Sequence, residues 1–222
     1  MVRQGSTKTL CRAAHAVARN NLATAFGHVS MRAGKELVIT PPLPLSQARS
    51  DLCRSIPLDA DELPPGIPKE AWLHLAIYRA RPDVAAICRA QPEVATALAS
   101  AGVAIQPLHG QGTFCGVPVP VFTEAELVRD SDRGVRLARA LGDDPALILK
   151  GNGALTVAAD PGRAVARMWV LEASARMNTT AAAAGNPTPL SETEQAAWRA
   201  TETELLGRIW AHLDHTDEEN NR

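Results

Sequence analysis

Imidazoles come first among the side chains able to do chemistry here, because their ordinary pKa lets them exchange a proton near neutral pH. The chain has six histidines. His28 sits in the string FGHVSMR (26–32), His109 in HGQGTF (109–114), and His74 one helical turn after Glu70 in KEAWLHLAIYRA (69–80). Thiols offer less. Cys11, Cys53, Cys88 and Cys115 are widely and irregularly spaced with no CxxC pair, which fits neither a zinc ribbon nor a disulfide framework. They read as reduced, and mostly as small buried hydrophobes. Gly151-Asn152-Gly153 reads as a tight turn whose glycines meet a need for positive φ or close backbone approach, so they specify shape and not chemistry.

The elements that must position these groups follow from periodicity. Leu10, Ala14, Val17, Ala18 and Leu22 form one stripe, predicting an amphipathic helix over 7–25, stopped by Gly27. Residues 28–32 and 36–40 read as a hairpin around Ala33-Gly34. The proline- and serine-rich stretch 41–68 reads as a long surface loop, a kind of segment that often carries function. Then come a helix over 69–80, a strand at 84–88, and a helix over 92–102 with proline in its first turn and glycine at its end. A strand at 117–122, a helix over 124–141, strands at 146–149 and 154–158, and a helix from Pro161 to about 184 complete the alternation. Ser191 and Glu194 form a capping box for a last helix to about 213, and the polar tail from about 214 is expected to be disordered.

Alternating strands and helices predict one α/β layered domain over 1–222. With 45% hydrophobic content the 222 residues can bury one substantial core without a metal or disulfide. The 23 basic and 24 acidic side chains give a net charge of −1, so no basic field exists to gather nucleic acid or an anionic membrane surface. No apolar run approaches the roughly 20 residues of a membrane span, and the N-terminus lacks a signal-peptide core. A cytoplasmic location is the expectation.

In order, and at compatible spacing, FGHVSMR (26–32), LVITPP (37–42), the Glu70-x-x-x-His74-x-x-x-Tyr78 run ending in Pro82-Asp83-Val84 with ATALA (95–99) after it, GVPVPVF (116–122) and ALILKGNGALTVA (146–158) resemble the class II aldolase/adducin family over about 7–205. The resemblance implies a three-layer α/β fold with a central, mostly antiparallel sheet flanked by helices. It also implies a four-fold homotetramer with active sites between subunits. Aldolases of the family bind zinc through a His-x-His pair at a strand end and a third histidine in a glycine-rich turn, with a glutamate as acid/base.

On this sequence the pair falls on Arg89 and Gln91, the third histidine on Asn152, and the glutamate on Glu70. Arginine cannot become a ligand and amide oxygens are poor partners for zinc, so no metal and no other cofactor are expected. The family's phosphate pocket is altered too: His28 replaces an asparagine, Pro42-Leu43 a Thr-Gly, and Pro68-Lys69 a serine pair. Proline supplies no N–H to a phosphate, although Lys69 could still meet an anion. A tyrosine that some aldolases contribute across the subunit boundary aligns with Gln111, and the serine of the GHVS string, Ser30, is counted with Gln91, Asn152, Lys69 and Gln111 as a substrate-binding candidate.

Each of these residues has a bland alternative. Arg89 either clamps a substrate carboxylate in a bidentate fork or fills the vacated metal site by pairing with Glu70. Glu70 is either a working acid/base, tuned by burial and Arg89, or a relic held by that pair. Gln91 and Asn152 either bind ligand or satisfy each other and Arg89. The resemblance places His28 and His109 near the cleft, as proton carriers, and gives His74 a structural hydrogen bond. A relocated metal site from His28, His74, His109 and Cys88 is the remaining alternative. Two functions follow: a metal-independent lyase acting on a small, non-phosphorylated carboxylate, with decarboxylation first, or a non-catalytic adducin-like module.

Overall fold

The computed structural model describes residues 4–215; the expected disordered tail falls largely on 216–222, outside the described residues. Asp214 itself closes the last helix and pairs with Arg12.

The chain opens with α1 (Gln4–Arg19), whose Leu10, Ala14 and Val17 are fully buried as the stripe requires. It stops at Arg19, short of 25. Asn20 turns its side-chain amide onto the Ala16 carbonyl and Asn21 adopts φ 56°, a left-handed conformation that asparagine tolerates. The hairpin β1 (His28–Ala33) and β2 (Glu36–Ile39) follows, and then a strand inside the expected loop, β3 (Arg54–Pro57). Only Ile56 of β3 is buried, so it shows no readable alternation, and its terminal proline suits the sheet edge it occupies.

Next come α2 (Ala71–Ala80), β4 (Ala86–Ala90), α3 (Glu93–Ser100) and the short β5 (Val121–Phe122). Helix α4 (Ser131–Leu141) starts later than the expected 124, because Asp130 caps it by accepting from the Arg133 N–H while Glu124 is held outside by Arg133 and Arg136. Strands β6 (Ala146–Leu149) and β7 (Gly153–Ala158) lead into α5 (Pro161–Ala184). The last predicted helix is two: α6 (Glu192–Arg199), opened by the expected capping box, and α7 (Glu202–Asp214), separated at Ala200 and Thr201.

The seven strands form one sheet in the order β3-β2-β1-β4-β7-β6-β5, antiparallel except for the β5–β6 pair. Successive residues pack into different cores, as a period of two demands. Ala86, Cys88 and Ala90 of β4 join α1, α3, α5 and α7 on one face, while Ile87 joins α2 and α4 on the other. Both faces are covered, giving three layers, and a one-residue slip of β4 would swap its two faces. Among the described residues no helix is long and apolar enough to cross a membrane.

Candidate active site

Antiparallel register sets the site. His28 of β1 lies opposite Arg89 of β4, and Ser30 opposite Ile87, so His28, Ser30 and Arg89 project from the same sheet face as Ile87, towards α2. Glu70 stands at the N-cap position of α2, above that face. Asn152 is delivered by the β6–β7 turn, where Gly151 and Gly153 have φ of 70° and 94°. A Cβ on Gly153 would stand 2.2 Å from the Ala90 carbonyl oxygen, so only glycine lets this turn close onto the end of β4.

Three side chains meet in a closed triangle. Arg89 Nη2 lies 3.2 Å from Glu70 Oε2 and donates to Asn152 Oδ1 at 2.8 Å. Asn152 Nδ2 donates in turn to Glu70 Oε1 at 3.2 Å. The guanidinium is only 1% exposed, and its Nε and Nη1 have no partner among the described residues. Burial lowers the Arg89 pKa, with Glu70 opposing the shift. Nε and Nη1 are both buried with their hydrogens unspent.

Behind Glu70 runs a second set of buried polar groups. His28 Nε2 is 3.8 Å from Glu70 Oε2, His28 Nδ1 is 3.3 Å from His74 Nε2, His74 Nδ1 is 2.7 Å from Ser30 Oγ, and Ser30 Oγ is 2.9 Å from the Tyr78 hydroxyl. Burial, helped by the charge of Arg89, pulls the His74 pKa down to about 3. Burial, then His74 and Arg89, carries His28 well below the ordinary value. Both imidazoles are neutral.

A cleft of about 660 Å³ opens over the triangle, with Lys69, Glu70, Arg89, Gln91, Asn152 and His28 in its lining. Its walls are apolar: Pro42, Leu43 and Pro44 from the 41–68 segment, and Phe26, which is 68% exposed. Leu127 and Arg129 also reach it. Phe26, Leu127 and Arg129 are not among the sequence candidates. The first was legible as part of FGHVSMR; the others lie in the stretch expected to be helical, where no cleft position could be assigned.

Three candidates lie elsewhere. Ser30 is fully buried against His74 and Tyr78, so it supports His74 and does not line the cleft. His109 is bonded through Nε2 to Ser174 Oγ of α5 at 2.8 Å, and burial lowers its pKa. Gln111 belongs to a 3-10 turn (Gly110–Cys115), and neither lines this cleft. Cys88 faces the α5 side of the sheet, which separates it from His28 and His74. Among the described residues, no three His, Cys, Asp or Glu side chains gather as a metal site.

A sheet of this topology, with its polar cluster at the ends of β1, β4 and the β6–β7 turn, defines a class that comparison makes definite. Residues 8–179 match the Class II Aldolase and Adducin N-terminal domain, and the chain belongs to that family. It is 28% identical over 224 residues to a 3,4-dihydroxyphthalate decarboxylase of Rhodococcus jostii (strain RHA1), covering 91% of this chain and 90% of the relative. A 3,4-dihydroxyphthalate decarboxylase of Arthrobacter keyseri is 27% identical over 201 residues, covering 82% and 80%. Among solved structures, an L-fuculose 1-phosphate aldolase superposes with a TM-score of 0.81 at 21% identity, over 89% of this chain and 96% of that one. That likeness speaks for the fold alone.

Proposed function

We propose that the chain is a decarboxylase of a hydroxylated aromatic carboxylic acid, working without the zinc of the family's aldolases. The observation that carries the reading is Arg89: a buried guanidinium lining an apolar-walled cleft, whose Nε and Nη1 are without a partner among the described residues after Nη2 has met Glu70 and Asn152. A carboxylate is the acceptor that matches a guanidinium in charge and in hydrogen bonding. The names of the relatives support an aromatic dihydroxy acid as the substrate class, and a flat ring suits walls made of Phe26, Pro42, Leu43 and Pro44.

Zinc does not suit this donor set. The three positions that the resemblance assigns to imidazoles hold Arg89, Gln91 and Asn152, and the first is already cationic. A metal ion there would meet the like charge of the Arg89 guanidinium. Nor does the cleft suit a sugar phosphate, since Pro42 and Pro68 offer no N–H where a phosphate would need one.

The chemistry asked of the residues is modest. Arg89 binds and orients the acid; the C–C bond breaks, its electron pair stays on the ring carbon, CO₂ departs, and that carbon takes a proton. Glu70, a carboxylate beside Arg89 and open to the cleft, is the group placed to take that proton from solvent water and pass it to the carbon. His109 and Gln111 do not line their own cleft. Assembly as a homotetramer with shared sites, which the family resemblance implies, would give them a neighbour's cleft to serve.

The deciding experiment incubates purified protein with 3,4-dihydroxyphthalate and follows CO₂ release and the dihydroxy monocarboxylic product by chromatography, with and without a chelator. Turnover unaffected by chelator, with no stoichiometric transition metal by elemental analysis, is expected. About one tightly held ion per chain, lost together with activity, overturns the metal-free mechanism. Binding of the acid without CO₂ release would favour the non-catalytic module instead. Sedimentation velocity tests the assembly, for which a monomer is the contrary result.

A further inference from the structure

We propose that Tyr78, Ser30 and His74 form a one-way hydrogen-bond chain that holds His28 as its Nε2–H tautomer and turns that N–H, as a donor, towards the cleft beside Glu70. The direction follows from the partners. Arg89 Nη2 can only donate, so Asn152 Oδ1, which it meets at 2.8 Å, accepts, and Asn152 must then use its amide N–H on Glu70 Oε1. Glu70 therefore accepts from both, as a carboxylate does.

A bare imidazole nitrogen facing that carboxylate would set lone pair against lone pair, so His28 Nε2, 3.8 Å from Glu70 Oε2, carries hydrogen. His28 is neutral, hence its Nδ1 is an acceptor, and among the described residues the group that fills it is His74 Nε2 at 3.3 Å, which must donate. The same step repeats. His74, also neutral, presents a bare Nδ1, so the Ser30 hydroxyl at 2.7 Å donates to it, and Ser30 accepts in turn from the Tyr78 hydroxyl at 2.9 Å. Burial keeps Tyr78 protonated by raising its pKa. Reversed, the chain would aim a lone pair at Glu70 and leave the Tyr78 proton to find another acceptor.

His28 Nε2 is too far from Glu70 for a full hydrogen bond, and His28 lines the cleft. Its N–H is therefore offered to a bound oxygen. Here the inference rests on the decarboxylase reading: the N–H would be a fixed neutral donor to the acid or its ring hydroxyl, while proton exchange is left to Glu70. His74, Ser30 and Tyr78 touch no ligand and are positioning residues.

The test reads tautomers directly, in protein labelled with ¹⁵N-histidine, by two-bond ¹H–¹⁵N correlation near neutral pH and without substrate. Both His28 and His74 should show the neutral Nε2–H pattern. An Nδ1–H tautomer or an imidazolium at either position overturns the chain. His74→Leu removes the donor to His28 Nδ1 and should bring out a second, Nδ1–H population of His28, with kcat lower by about tenfold and KM unchanged. His74→Gln keeps an N–H to donate and should restore the single His28 pattern and most of kcat. A His28 signal in His74→Leu identical to that of the parent protein also overturns it. Should His74→Leu fail to fold, the parent spectrum decides alone. Because that spectrum needs no substrate, absence of decarboxylation leaves the chain standing, and a wrong tautomer in an active enzyme sinks the chain alone.

Discussion

At the scale of single residues, Arg89 decides what the site is. Taking a guanidinium out of water costs several kcal/mol, and an ion pair with one amide offsets only part of that. Each buried N–H left without a partner costs a further 1–3 kcal/mol or so, and Arg89 has two such nitrogens. A residue kept only to plug a hole would be better replaced by a methionine. Arg89→Lys keeps the charge but not the planar fork. We expect it to weaken binding of an aromatic carboxylate by about 10–100-fold, in line with the ~1.5–3 kcal/mol of hydrogen bonds to a charged group, with little change in melting temperature. Titration calorimetry beside thermal melts checks both halves; equal binding by the lysine variant would rule out the fork. The Arg89–Glu70 pairing is legible in the sequence, because a lone cation at a strand end needs a carboxylate. The His28–His74–Ser30 contacts are not, since they depend on which residue of β1 falls opposite Arg89, and cross-strand register is invisible in either strand alone.

At the scale of elements, the strands in the middle of the sheet were legible because they are short, apolar and bounded by turn residues, and the chain had to alternate between two cores. The misplaced boundaries share another cause. Helix α1 ends, α4 begins and α6 gives way to α7 at polar residues whose side chains compete for backbone groups, and the winner depends on partners far along the chain, as Glu124 does with Arg136. Strand β3 exists because β2 offers it an edge. The β6–β7 turn allows a sharp comparison. Gly151→Ala meets no atom within 4 Å but must hold φ 70°, so it should cost about 1–2 kcal/mol. Gly153→Ala adds a collision with the Ala90 carbonyl and should cost more than about 3 kcal/mol while loosening Asn152 from Arg89. Urea unfolding of the two variants ranks them, and equal losses would show that the turn can retreat from β4.

At the scale of the whole molecule, the three layers are what the family resemblance implies, and the structural comparison bears that fold out. What the sequence could not convey is how the layers store sensitivity to acid. His74, pulled down to about 3 from an ordinary 6.5, stays neutral in the folded protein while the unfolded chain takes up a proton. Its contribution is thus complete above the unfolded pKa and is lost as pH falls below it; His28 and His109 are shifted in the same direction. Each such histidine removes up to about 1.4 kcal/mol per pH unit in that window. Unfolding free energy should therefore drop by about 2 kcal/mol or more between roughly pH 7 and pH 5, before most carboxylates titrate. Denaturant titrations at the two values measure it, and His74→Gln should flatten the slope; a slope untouched by that change would mean the proton uptake lies elsewhere.

The placement of the tryptophans has a practical corollary. Trp72, Trp169, Trp198 and Trp210 all ride on helices and none borders the cleft, while Trp198 rests against Gly110 and Trp210 against Gly162. Intrinsic emission should accordingly register the detachment of the C-terminal helices and stay nearly silent when the cleft fills, leaving the ultraviolet absorbance of an aromatic ligand as the better optical handle on occupancy.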